Sequence, residues 1–135
     1  MALHGFAKKY RADSEEEREH AMKLVEYQNK RGGRVVFQDV AKPERQEWDT
    51  ALQAVEQTLE MERTVHRHLL ELHKTADGHG DAQMTDFIEG EYLKEQVEAE
   101  KELGDLITKM KRAGDDLGLH ITTKNISDFG SSSWL

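Results

Sequence analysis

Glu15-Glu16-Glu17-Arg18-Glu19-His20 is an acidic run that closes in Glu-x-x-His. Residues three apart share a face of a helix, so Glu17 and His20 can grip one ion together. The spacing alone is a weak signal, because acidic helical runs with a nearby histidine are usually solvated surface. The direction of Glu17 strengthens it. At roughly 100° per residue, Leu3, Phe6, Tyr10, Ala21 and Leu24 all fall within about 40° of Glu17 on a helical wheel. His20 lies at the edge of the same stripe, and Glu16 and Glu19 point to one side. A carboxylate centred on an apolar stripe is costly to bury unless it is paired or bound to a cation.

The segment around this run, residues 3 to about 31, has the pattern of one long helix closed by Gly32-Gly33. Arg34 to Val40 is a short extended segment, followed by Lys42-Pro43. The connection is long enough to run back along a bundle, so that the next helix lies parallel to the first. That second helix spans about residues 48–75, with Leu52, Val55, Leu59, Val65, Leu69 and Leu72 on its apolar face and Glu62 near the middle of it. Asp77-Gly78-His79-Gly80-Asp81 forms a turn. A third helix spans about residues 82–113, its stripe made of Thr85, Ile88, Tyr92, Ala99, Leu103, Leu106 and Met110 with Gln96 in the middle. The tail, residues 114–135, weakens as a helix at the β-branched Ile121-Thr122-Thr123.

Glu62 and Gln96 each lie 17 positions from His79 (79 − 62 and 96 − 79). In an antiparallel helical hairpin that equality sets the two side chains at one height. Glu17 lies as far beyond Leu3 as Glu62 lies beyond Trp48, so parallel first and second helices bring Glu17, His20, Glu62 and Gln96 into one layer. Oxygen donors with one imidazole suit iron or manganese better than copper or a structural zinc. Plainer roles are open to each residue alone: a single polar side chain in a helix seam fixes register, and a lone histidine is more often interfacial than a ligand. Three helices each carrying such a group at one height favour a metal.

The composition bounds the rest. The chain has 135 residues, enough for a single domain over 1–135 with one real core. Charged residues make up 34% and the net charge is −8, which suits long amphipathic helices and argues against a nucleic-acid partner. No cysteine is present, which removes disulfides, zinc–thiolate sites and thiol nucleophiles together. No apolar run approaches the ~18–20 residues needed to span a bilayer. The expectation is a soluble, cytoplasmic protein with no membrane partner.

The residues also resemble eukaryotic ferritin of the heavy-chain, ferroxidase type. Glu16-Glu17-Arg18-Glu19-His20-Ala21, Gln28-Asn29-Lys30-Arg31-Gly32-Gly33-Arg34, Leu69-Leu70-Glu71-Leu72-His73-Lys74, Asp86-Phe87-Ile88-Glu89 and Tyr92-Leu93-Lys94-Glu95-Gln96-Val97 carry the likeness, over about Met1 to Ala113. A bundle layer of glutamates with Glu-x-x-His is the established arrangement of ferritin-like di-iron proteins. The resemblance implies an all-α, ferritin-like antiparallel helix bundle with one long crossover: three long helices here, plus a short C-terminal helix. It implies iron storage in a 24-subunit cage of like subunits, with Fe(II) oxidised by dioxygen at a dinuclear iron site. Glu17 would bridge the irons, His20 would bind one and Glu62 the other, and Gln96 would hold the oxidation-site water. Glu16 and Glu19 would face the cavity and nucleate ferric mineral. Asp86 and Glu89 would line the threefold channel that admits iron, with His73 near its mouth; acids near a helix start are also favoured by the helix dipole alone.

Two departures bear on this. The family's first helix, which supplies a further glutamate to the first iron, has no counterpart, and Met1-Ala2-Leu3-His4-Gly5-Phe6 resembles the start of the family's second helix. Met1 then reads as an internal methionine of a longer gene product. The segment after Gly118 departs from the family's short fifth helix. Both departures threaten cage assembly, and the first also threatens catalysis. The alternative they raise is a truncated, non-catalytic ferritin subunit that acts by associating with complete subunits or with itself.

Overall fold

The computed structural model of the chain describes residues 4–113, and every regular element among them is helical. They fall into two units, residues 4–47 and 48–113. The expected C-terminal helix lies outside the described residues, as does Leu3.

The first unit carries α1 (His4–Lys30), within a residue of the expected span at each end. Phe6 is buried and stacks on Tyr10, with ring centroids 6.4 Å apart. Lys9 and Asp13 pair at 2.9 Å one turn apart. The helix stops in a Schellman cap: Gly33 N–H donates to the Gln28 carbonyl at 2.9 Å and Gly32 N–H to that of Asn29 at 3.0 Å. Gly32 takes a φ of +76°, a left-handed conformation that any Cβ would strain. Residues 33–50 then run without regular structure, so the extended segment expected over Arg34–Val40 forms no strand, and Val36, Phe37 and Val40 are exposed.

The second unit is a helical hairpin. Its first arm is α2 (Ala51–Gly78), starting three residues later than the sequence pattern suggested. Thr50 causes the shift: its hydroxyl caps the helix by accepting from Gln53 N–H at 3.2 Å, while the Gln53 side chain accepts from Asp49 N–H. The helix also runs three residues past the expected Thr75, and His79 closes it with Nδ1 2.8 Å from the Thr75 carbonyl oxygen. Gly80, at φ +67°, reverses the chain. Asp81 caps the return arm by accepting from Met84 N–H at 3.1 Å.

The return arm is not one uniform helix. It comprises α3 (Ala82–Ile88), a π-helical turn over Glu89–Leu93, and α4 (Lys94–Ala113). The buried residues Ile88, Tyr92 and Gln96 explain the turn. They are spaced four and four, and an uninterrupted α-helix would leave the first and last about 80° apart. A π turn winds as though one residue were absent, so all three face α2 to within about 20°. Leu103, Ile107 and Met110 continue this face, with Val55, Leu69 and Ala76 opposite on α2. The expected stripes need correction: Val65 and Leu72 are exposed, Thr85, Ala99 and Leu106 are half-buried, and Ile107 joins the core. No helix among the described residues is long and apolar enough to cross a membrane.

Candidate metal centre

Glu62 and Gln96 meet across the hairpin at the height their equal distance from His79 predicts. Gln96 Nε2 donates to Glu62 Oε2 at 2.5 Å and approaches the Glu62 backbone oxygen at 2.9 Å. Gln96 is buried at 8% exposure, and Glu62 is half-buried. An amide has two N–H groups, and these two acceptors use both. The pair holds a carboxylate in the hairpin seam through an amide hydrogen bond.

On α1, Glu17 and His20 stand one turn apart, with His20 Nδ1 3.7 Å from Glu17 Oε2. The Glu17 side chain is 58% exposed and that of His20 only 20%. Glu16 and Glu19 are exposed. An imidazole nitrogen and a carboxylate oxygen at this separation need little movement to share a cation, since metal–N and metal–O bonds of about 2.1 Å set adjacent donors ~3 Å apart. Among the described residues no three His, Asp or Glu side chains gather closely enough to hold a metal ion. The candidate ligands stand as pairs.

Near the hairpin turn, His73 Nε2 lies 2.6 Å from Glu89 Oε1, a link between α2 and the first residue of the π turn. Asp86, the other acid of that group, is exposed.

Two features escaped the sequence patterns. His66 Nδ1 lies 2.5 Å from Glu100 Oε1, with Arg63 Nε 3.9 Å from Glu100 Oε2. The available signal was that His66 follows Glu62, and Glu100 follows Gln96, by one helical turn. Tyr92 is the other. Burial first, then the neighbouring Glu91 and Glu95, push its phenol up to about 12. Its ring meets Phe87 edge-on, centroids 5.5 Å apart.

Comparison with known proteins bears on these pairs. The Ferritin family, described as a ferritin-like domain, matches residues 1–113. Soma ferritin of Lymnaea stagnalis is 55% identical over 124 residues, covering 92% of this chain and 71% of that protein. The ferritin middle subunit of Aquarana catesbeiana is 53% identical over 114 residues, or 84% and 65% of the two chains. That of Salmo salar is 52% identical over 112 residues, or 83% and 64%. The chain thus spans about two thirds of the length of these relatives. With a family match over residues 1–113 and more than half of the aligned residues identical, this chain belongs to the ferritin family.

Proposed function

We infer that the chain serves iron storage and detoxification, oxidising Fe(II) with dioxygen at a dinuclear site and keeping the Fe(III) product as mineral in a multi-subunit cage. The observation that carries this reading is the Glu62–Gln96 hydrogen bond. It brings two of the proposed ligands to one height in the hairpin, and Glu17 and His20 enter the reading as the Glu-x-x-His pair on α1, the whole taken as one ferritin-like domain over residues 1–135. In that reading Glu17 bridges two irons, His20 binds one and Glu62 the other, and Gln96 positions a water. Each ferrous ion gives up one electron, and dioxygen takes both with two protons to form hydrogen peroxide. The carboxylates stabilise the ferric product, because hard oxygen donors suit the higher charge. Glu16 and Glu19 offer exposed carboxylates for mineral nucleation, and Asp86, Glu89 and His73 guide iron inward through a channel between subunits. The compartment in this reading is the cytoplasm.

The test is aerobic addition of Fe(II), following ferric absorbance in the unaltered chain and in a Glu17→Ala, Glu62→Ala variant. The variant is expected to lose the fast oxidation phase, and equal rates would remove these residues from the chemistry.

A second reading, association without catalysis, is favoured by Met61, Val65 and Leu72. These exposed apolar side chains fall within about 40° of one another on α2. Solvent-facing apolar stripes mark interaction sites. Sedimentation with and without iron separates the two readings: assembly without Fe(II) oxidation supports the second and sinks the first.

A further inference from the structure

Beside the Glu62–Gln96 pair lies a second cross-helix pair that the proposed iron site does not use. His66 Nδ1 and Glu100 Oε1 are 2.5 Å apart, and their side chains are only 24% and 25% exposed. His66 is one turn on from Glu62 in α2, and Glu100 is one turn on from Gln96 in α4. The two helices run antiparallel, so these steps go opposite ways and the pair crosses the seam diagonally, at the height of Glu62 and Gln96. Each side chain is anchored on a rod held to the other by the apolar seam of Val55, Leu69, Leu103 and Ile107 and, further along, by the Lys111–Glu56 pair at 2.7 Å.

We propose that His66 and Glu100 form a separate binding site for a borderline divalent cation of the zinc or cobalt class, with water completing its shell. One imidazole and one carboxylate match the preferences of such ions. Bonds of about 2.1 Å at tetrahedral or octahedral angles set two donors about 3.0–3.4 Å apart. The nitrogen and oxygen therefore have to part by roughly 0.5–0.9 Å from where they now lie. Side-chain rotation provides that without moving either helix. Partial burial means the donors are already ordered, so the cation bears little of the entropic cost of gathering them. The remaining exposure leaves room for water ligands. Arg63 touches the other carboxylate oxygen at 3.9 Å, but its side chain is 54% exposed and free to turn into solvent when a cation takes its place.

Zinc serves as the probe, and its binding does not depend on iron oxidation. Calorimetric titration of the full chain with Zn²⁺ is compared with Glu17→Ala/Glu62→Ala, His66→Gln and Glu100→Gln variants. The Glu17/Glu62 variant is expected to keep one zinc site, and His66→Gln and Glu100→Gln each to weaken that site at least about tenfold. Unchanged zinc stoichiometry and affinity in His66→Gln would reduce the pair to an ordinary ion pair and overturn the proposal. So would disappearance of all zinc binding in a folded Glu17/Glu62 variant. Crystals of the unaltered chain soaked in Zn²⁺ give a test that needs no variant to fold. An anomalous peak between His66 Nδ1 and Glu100 Oε1 is expected, and its absence overturns the site. Loss of iron oxidation with this peak intact would count against the iron reading alone.

Discussion

Replacing Gln96 with Met tests the seam directly, because Met has nearly the same volume and neither of the amide's donors. The hydrogen bond from Gln96 Nε2 to the Glu62 carboxylate, 2.5 Å long, is charge-assisted, and such bonds contribute about 1.5–3 kcal/mol. The contact with the Glu62 carbonyl adds less, since that oxygen already accepts within its own helix. Burying the thioether instead of an amide returns roughly 1 kcal/mol. The net expected loss is therefore about 1–2 kcal/mol, or roughly 3–8 °C in melting temperature for a chain of this size. Urea unfolding at fixed chain concentration measures it, with an unchanged slope showing that the denatured state is unaltered. A double-mutant cycle with Glu62→Ala isolates the pair, and the coupling should be at least about 1 kcal/mol. Additivity to within about 0.3 kcal/mol would refute the claim that the two side chains are bonded.

Four further outcomes follow from local geometry. Gly32→Ala forces a Cβ onto a residue at φ +76° and should cost about 1 kcal/mol by denaturant unfolding. Gly33→Ala should cost more, because the new Cβ would lie 2.8 Å from Gln28 Cγ and disturb the amide that holds the Arg34 carbonyl. Thr50→Ala removes the cap on Gln53 N–H and should destabilise α2 by about 1 kcal/mol, recovered in part by Thr50→Asp. Tyr92, whose phenol is pushed up to about 12, binds its proton more tightly folded than unfolded, where a phenol titrates near 10. Its contribution to stability is intact below about pH 10 and is lost as pH rises through about 12. Phenolate absorbance should show a late step near pH 12, and Tyr92→Phe should abolish it; persistence of that step in Tyr92→Phe would contradict the assignment.

The helices were legible because their apolar residues recur at helical spacing, and the hairpin's register was legible because Glu62 and Gln96 flank His79 symmetrically. What was not legible arose from competition between local signals. The apolar pattern of α2 began at Trp48, but a threonine hydroxyl three residues before Gln53 sets where the first N–H groups are satisfied. Val65 and Leu72 were expected inside on hydrophobicity. The seam instead belongs to Glu62, His66, Leu69, His73 and Ala76, spaced four, three, four and three, and that choice turns Val65 and Leu72 toward solvent. Three of those five are polar, which is why hydrophobicity misplaced the face. Glu17 and His20 could be paired from their spacing, whereas Glu100 sits in a charged run that reads as surface until its partner across the seam is known.

The π turn at Glu89–Leu93 has a consequence for how this arm tolerates changes of length. Deleting Gly90 would let the stretch relax to ordinary α geometry with the same total winding, so Ile88 and Gln96 would keep their aspect toward α2. A deletion within α4, for example at Val97, has no such slack, and everything beyond it would rotate by about 100°. The arm therefore carries one spare residue at one place, and only there can that arm be shortened without unthreading its contacts.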